Sequence, residues 1–351
     1  MPCAPRLGSD DHISPPAPCH PYGVKILFEG TAGPEGRPAP GCGCASCARP
    51  ATVRRRPARI LVDGRPLPPE GCVVTASGGE RLLYAVAGSV PEDGPDAGGG
   101  FAVVLIDLLD RPERLGELRR RGLIGEGAHV VAVGIDHRAP SEAELERRLA
   151  LWGARAVPDG TVLDAREPAP ARPPQPRRTL LLGGSRSGKS AEAELRLLAE
   201  PEVVYVATGP SGGGDPEWLA RIRGHRDRRP AHWDTVETTD LAGLLGTART
   251  PLLIDGLGTW ITAVFDECGA WEGGAAARER VDARCDELVA AWRRTRSRVV
   301  AVSDEVGLGV VPATSSGRAF RDALGRLNQR LAAESEDVSL VVAGRLLPLP
   351  I

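Results

Sequence analysis

The chain has 351 residues, 42% of them apolar, and a formal net charge of −2. That length allows two ordinary domains with cores of their own. The near-neutral balance excludes charge-driven binding of nucleic acid or a membrane surface, and an aromatic content of 4% leaves few rings for stacking bases.

Residues 1–22 hold Pro, His and Asp and lack the apolar centre of a signal peptide, so a disordered tail is expected. No apolar run reaches the roughly 18 to 20 residues of a membrane span. A cytoplasmic chain is therefore expected. From 23 to 165, short apolar runs alternate with Gly/Pro turns. Residues 25–28, 60–62, 102–106 and 129–133 read as strands, and 140–152 as a helix with Ser141 as its cap. Pro91 and Pro95 mark a Gly-rich loop. The stretch 166–178 carries Pro168, Pro170, Pro173, Pro174 and Pro176, a stiff linker between two domains.

Beyond it the pattern changes to a clean alternation. Strands are expected at 179–182, 203–207, 252–255, 299–302 and 339–343. Helices are expected from Lys189, before His225, over 275–296 and over 318–333. Val281, Cys285, Leu288, Val289 and Trp292 share one face of the third helix, and Phe320, Leu324, Leu327 and Leu331 form one stripe of the last. Near-continuous apolar strands alternating with helices predict a mainly parallel α/β sheet covered on both faces.

Gly183-Gly184-Ser185-Arg186-Ser187-Gly188-Lys189-Ser190 matches G-x-x-x-x-G-K-S between a predicted strand and a predicted helix. Its glycines let the backbone aim several N–H groups at one phosphate chain, and the helix N-terminus adds a favourable dipole. Only two of the 44 basic residues are lysine, Lys25 and Lys189, so Lys189 stands where arginine would have been the habit of the chain. A compact ammonium suits the outer phosphates better than a planar guanidinium. Ser190 offers a hydroxyl to Mg²⁺. A metal-reaching carboxylate should end a neighbouring strand, and Asp255 and Glu305 are the candidates. Each could instead cap a turn.

Residues 221–233 place His225 and His232 among five arginines. Nearby cations favour the neutral, nucleophilic imidazole and could hold a triphosphate. A solvated basic helix end would carry the same residues.

These motifs, in this order, resemble the bifunctional adenosylcobinamide kinase/adenosylcobinamide-phosphate guanylyltransferase family. The resemblance rests on 183–190, on Val204-Tyr205-Val206-Ala207-Thr208, on Arg221-Ile222-x-x-His225-Arg226 and on Arg229-Pro230-Ala231-His232-Trp233. It continues through Ser303-Asp304-Glu305-Val306-Gly307-Leu308-Gly309-Val310-Val311-Pro312 and the helix after it. It implies a P-loop NTPase-type fold over 179–351. It also implies Mg²⁺, with ATP or GTP and adenosylcobinamide or its phosphate as substrates, and a homo-oligomer, a trimer. His225, and not His232, would be the nucleophile that takes GMP. Gly183 to Ser190, Ala207, Thr208, Arg226, Asp227, Arg228, Arg229, Glu237 and Asp255 would contact nucleotide. The chain departs from the family in its Gly-rich loop 209–215 and in Asp304, where the family carries Asn. A P-loop kinase without the transferase step, or a nucleotide-dependent regulatory scaffold, would share the cradle.

Further upstream, Lys25 to Pro34, Pro40-Gly41-Cys42-Gly43-Cys44-Ala45-Ser46-Cys47 and Arg59 to Gly64 resemble the opening of a metallo-β-lactamase-type domain. That likeness implies a smaller α/β domain over 23–165 with structural Zn²⁺ on Cys42, Cys44, Cys47 and His137. Three reduced cysteines without metal remain the other reading. The His-x-His-x-Asp-His string of that family is absent and the chain holds six histidines in all, so a non-hydrolytic module is expected.

Overall fold

The computed structural model describes residues 24–49, 53–86, 99–209, 224 and 229–350. The tail at 1–22, the turn around Pro91 and Pro95, most of the Gly-rich loop and the helix expected before His225 lie outside the described residues.

The N-terminal half is built from two four-stranded sheets laid face to face. Strands β1 (Lys25–Gly30), β2 (Arg59–Val62), β3 (Arg65–Pro66) and β8 (Thr161–Asp164) form an antiparallel sheet in the order β3-β2-β1-β8. Strands β4 (Cys72–Thr75), β5 (Arg81–Ala85), β6 (Phe101–Ile106) and β7 (Ile124–Ala132) form the second, in chain order. Ile26, Phe28, Ile60 and Val62 meet Leu82, Val103, Leu105 and Val131 between the sheets. The far face of the second sheet carries Leu83, Val104, Ile106 and Val130 against α2 (Glu113–Arg120) and α3 (Glu142–Trp152). Strand β6 is therefore covered on both faces, which is why its sequence is a continuous apolar run, whereas β1 alternates. Ser141 caps α3 as expected, its Oγ accepting from Glu144 N at 3.1 Å. A single turn, α1 (Ala45–Ala48), has Cys44 as its N-cap.

The C-terminal half holds a seven-stranded sheet. Its strands are β9 (Arg178–Gly183), β10 (Val204–Ala207), β11 (Asp234–Glu237), β12 (Leu252–Asp255), β13 (Val299–Asp304), β14 (Asp337–Val342) and β15 (Arg345–Pro348), in the order β11-β10-β12-β13-β9-β14-β15. Every pair is parallel except the edge hairpin β14–β15. Helices α5 (Leu241–Thr247), α6 (Leu257–Cys268), α7 (Ala275–Arg294) and α8 (Ser315–Ala333) bury one face, and α4 (Lys189–Leu197) lies on the other. This is the mainly parallel α/β sheet read from the alternation. The last helix starts at Ser315, earlier than expected, because Thr314 Oγ1 caps it by accepting from Gly317 N. Helix α6 is not among the expected elements. Its β-branched Thr259, Ile261, Thr262 and Val264 favour strand, but the stripe Leu257, Trp260, Ile261, Val264 and Phe265 is buried in the core and packing wins.

Helix α4 also joins the two halves. Trp152 Nε1 donates to Leu195 O at 2.8 Å, and Arg147 pairs with Glu192 at 2.9 Å. Gly116 lets the backbone after α4 come close: a Cβ there would sit 2.6 Å from Glu200 O. The Pro-rich stretch lies along this seam, with Gln175 Nε2 on Ala150 O and Arg172 on Glu200. No described helix is long and apolar enough to cross a membrane.

Candidate functional site

Parallel strands bring their carboxyl ends to one edge of the sheet, and the register aligns them. Ala207 is opposite both Glu237 and Asp255, and Asp304 is opposite Gly183. Four strands thus end at the same edge of the sheet as the loop between β9 and α4, with β13 next to β9 and β11 furthest from it.

That loop is a phosphate cradle by construction. A Cβ on Gly183 would lie 2.6 Å from both Val341 O and Ser187 Oγ, so only glycine closes the strand there. Gly188 (φ +99°) and Arg186 (φ +59°) take the left-handed conformation that curls the chain. Gly344 N donates to Ser187 O at 2.7 Å and pins the loop to the β14–β15 turn. Helix α4 starts with no side-chain cap, so its first amides are open to an anion. Ser187 Oγ is buried with no hydrogen-bond partner among the described residues, a hydroxyl free to meet a phosphate oxygen.

Two ion-directed contacts flank the cradle. Lys189, buried, donates to Gly184 O at 3.0 Å and pairs with Asp304 Oδ1 at 2.8 Å. Ser190 Oγ donates to Asp255 Oδ1 at 3.0 Å, while Tyr205 Oη donates to Oδ2 at 2.7 Å. Of the two candidate carboxylates, Asp255 reaches the cradle serine. Glu305 turns back on its own loop, accepting from Gly307 N at 2.8 Å, which is the capping alternative. A hydroxyl and a carboxylate meeting at this distance fit a hard divalent cation such as Mg²⁺.

The residues read as nucleotide contacts are placed unevenly. Gly184, Ser185 and Arg186 are exposed on the loop, and Ala207 and Glu237 lie in register with Asp255 at the same edge of the sheet, on strands further from the loop. The Thr208 hydroxyl is buried on Gly256 O at 2.6 Å, where it holds the turn before α6. Arg229 stacks its guanidinium 3.6 Å over the Tyr205 ring. His225, Arg226, Asp227 and Arg228 lie outside the described residues. His232 sits just before β11, at the opposite edge of the sheet, with Nε2 on Glu200 O at 3.4 Å. Burial lowers its pKa. Tyr205 and Asp304 carry no role in the sequence reading. Tyr205 is the one polar tip in an otherwise apolar strand, and that is the signal that could have marked it. Burial first, and then the Asp255 carboxylate, push its phenol far above the ordinary range, so it stays a donor.

In the N-terminal half, Cys42, Cys44, Cys47 and His137 bring their ligand atoms within 4.8 Å of one another. Ser46 Oγ donates to Ala139 O at 2.7 Å and Gly33 N to Ile135 O at 3.1 Å, which ties the cysteine loop to the segment after β7. The Cys47 amide and the Cys42 thiol lower the Cys44 thiol to about 7. Three sulfurs and one imidazole nitrogen so gathered fit a closed tetrahedral Zn²⁺ site. Beside it, Arg138 pairs with both Asp107 and Asp136 at 2.9 Å.

Comparison with known proteins places the cradle in context. The family model described as cobinamide kinase / cobinamide phosphate guanyltransferase matches residues 179–349. The bifunctional adenosylcobalamin biosynthesis protein CobU of Salmonella typhimurium is 41% identical over 175 residues, 47% of this chain and 95% of that protein. CobU of Escherichia coli is 39% identical over 175 residues, again 47% of this chain and 95% of its own length. The bifunctional adenosylcobalamin biosynthesis protein CobP of Pseudomonas aeruginosa is 39% identical over 184 residues, 50% of this chain and 96% of that protein. These relatives are matched almost end to end by the half that carries the cradle, and the chain belongs to the cobinamide kinase/cobinamide phosphate guanyltransferase family.

Proposed function

We propose that the C-terminal half phosphorylates adenosylcobinamide with ATP or GTP and then transfers GMP from GTP to adenosylcobinamide phosphate through His225, giving adenosylcobinamide-GDP. The observation that carries this reading is the cradle itself, with Lys189 and Ser190 at one helix start and Asp255 and Asp304 meeting them from neighbouring strands. In the first reaction the loop amides and Lys189 hold the outer phosphates while the acceptor hydroxyl attacks the γ-phosphorus and the nucleoside diphosphate leaves. Mg²⁺, held by Ser190 and Asp255, would offset phosphate charge when bound. In the second, a ring nitrogen of neutral His225 attacks the α-phosphorus of GTP and pyrophosphate leaves. The phosphate of the acceptor then displaces the histidine. Arg229, stacked on the Tyr205 ring whose hydroxyl donates to Asp255, would add a cation to the same triphosphate, and that stacking supports the reading.

GTP labelled at its α-phosphorus tests this. Acid-labile label should appear on the wild-type chain, map to residue 225 and be absent from His225→Ala. Unlabelled wild-type protein that still phosphorylates adenosylcobinamide would leave a kinase alone. The family resemblance also supports a homotrimer, to be read from the mass in light scattering.

For the N-terminal half we propose a non-hydrolytic module with structural Zn²⁺ on Cys42, Cys44, Cys47 and His137. The cluster supports the metal, and Arg138 already engages Asp107 and Asp136 beside it. Elemental analysis should find about one zinc per chain and little in Cys42→Ser, which should also unfold at lower temperature. Equal zinc in both proteins would remove the assignment.

A further inference from the structure

Three of the exposed large apolar side chains fall within one short loop: Leu308 is 78% exposed, Val310 95% and Val311 62%. The loop runs from Glu305 to Pro312, between β13 and α8. It is held at both ends. Glu305 N donates to Gly183 O at 3.1 Å, and Arg321 Nη2 donates to Gly307 O at 2.7 Å. Arg318 Nη1 donates to Pro312 O at 3.0 Å and Ala313 O at 2.7 Å. Val306 and Phe320 both pack against the core of this half, and the Phe320 ring stands 6.3 Å from Trp271. A loop fastened this way presents its apolar tips to water as part of the fold, and clustered exposed apolar side chains beside a site mark a contact surface.

Its position says what that surface meets. The loop begins one residue after Asp304, which touches Lys189 at 2.8 Å, and its first amide bonds the last residue of β9. The lip therefore borders the cradle on the side where Lys189 stands, next to where an acceptor for the outermost phosphate would react. From Val306 to Pro312 the lip carries no charged side chain, and the guanidinium groups beside it, Arg318 and Arg321, donate to its carbonyls, so its tips complement an apolar surface. The acceptor in the proposed reaction combines one reacting hydroxyl with a broad corrin macrocycle, and the macrocycle is the part that needs such a seat.

We propose that Leu308, Val310 and Val311 seat the apolar face of the corrinoid acceptor and set its affinity, while the cradle sets that of the nucleotide. This rests on the acceptor being adenosylcobinamide, so the test reads binding separately from catalysis. Adenosylcobinamide is equilibrated with the full chain by dialysis, for wild type, Leu308→Ser/Val310→Ser and the conservative Leu308→Met. Replacing two apolar side chains of the seat by serine should raise the dissociation constant about tenfold or more in the double variant. Leu308→Met should bind close to wild type. The label taken from GTP, which needs no acceptor, reports that the double variant is folded. Equal binding by wild type and double variant overturns the proposal, as does no binding by wild type. A double variant of lower mass in light scattering with unchanged acceptor binding also overturns it, because the lip would then join two copies of the chain. Wild type that binds the corrinoid more tightly than the double variant yet does not phosphorylate it would overturn the functional reading and keep the seat.

Discussion

Lys189→Ala should lower the rate of phosphoryl transfer to adenosylcobinamide about 10³-fold, because a preorganised cation facing the transferring group contributes several kcal/mol to its transition state. The side chain is buried, and its two contacts, Gly184 O and Asp304 Oδ1, hold the ammonium at the mouth of the cradle. Lys189→Arg should not rescue the rate, since a planar fork cannot take the place of a point charge between those oxygens. Single-turnover kinetics would check both, and a rate within tenfold of wild type in the alanine variant would refute the role. Asp304→Asn should act with the opposite sign on binding. In the free protein Asp304 holds the lysine that must turn to the phosphates, and its charge opposes theirs. Its side chain is 38% exposed, so solvent screens the pair and the effect is modest: triphosphate should bind about 2- to 5-fold more tightly to the variant by calorimetry. Weaker binding would show that Asp304 helps the nucleotide and does not compete with it.

Asp255→Asn should lower the same reaction about 10²- to 10³-fold and raise the Mg²⁺ concentration needed for half-maximal rate. The carboxylate accepts from Ser190 on one oxygen and from Tyr205 on the other. An amide offers one acceptor and one donor, so one of these hydroxyls would face an N–H group, and the metal would lose an anionic ligand. Tyr205→Phe separates the two causes. It removes the donor and keeps the charge, so the rate should fall no more than about tenfold and the Mg²⁺ requirement should stay near that of wild type. A Mg²⁺ titration of the three proteins decides. Equal Mg²⁺ requirements in Asp255→Asn and wild type would place the cation elsewhere.

Much of the C-terminal half is legible in the residues alone. The cradle is one contiguous segment between a strand and a helix, and its conformation depends on local glycines, so spacing reveals it. The strands show as apolar runs because both faces are buried. The thin points have physical causes. Helix α6 hides behind β-branched residues, and strands β4 and β8 are short, with half-exposed ends that break the pattern. The four zinc-directed side chains are joined by resemblance. By distance along the chain, His137 stands 95 positions from Cys42, and nothing in the spacing links them.

What the residues by themselves determined was the chemistry available: a phosphate loop, one lysine kept among arginines, and carboxylates at strand ends. The sheet decided which of these meet. Strand order puts β13 beside β9 and β12 next beyond it, so Asp304 reaches Lys189 and Asp255 reaches Ser190, while Glu305, one residue further, caps its own turn. Tertiary contacts alone pinned the 305–312 lip in place with its apolar tips outward. Local sequence sets a residue's conformation within a turn or two, whereas neighbours across a parallel sheet are separated by whole helices, and only packing brings them within bonding distance.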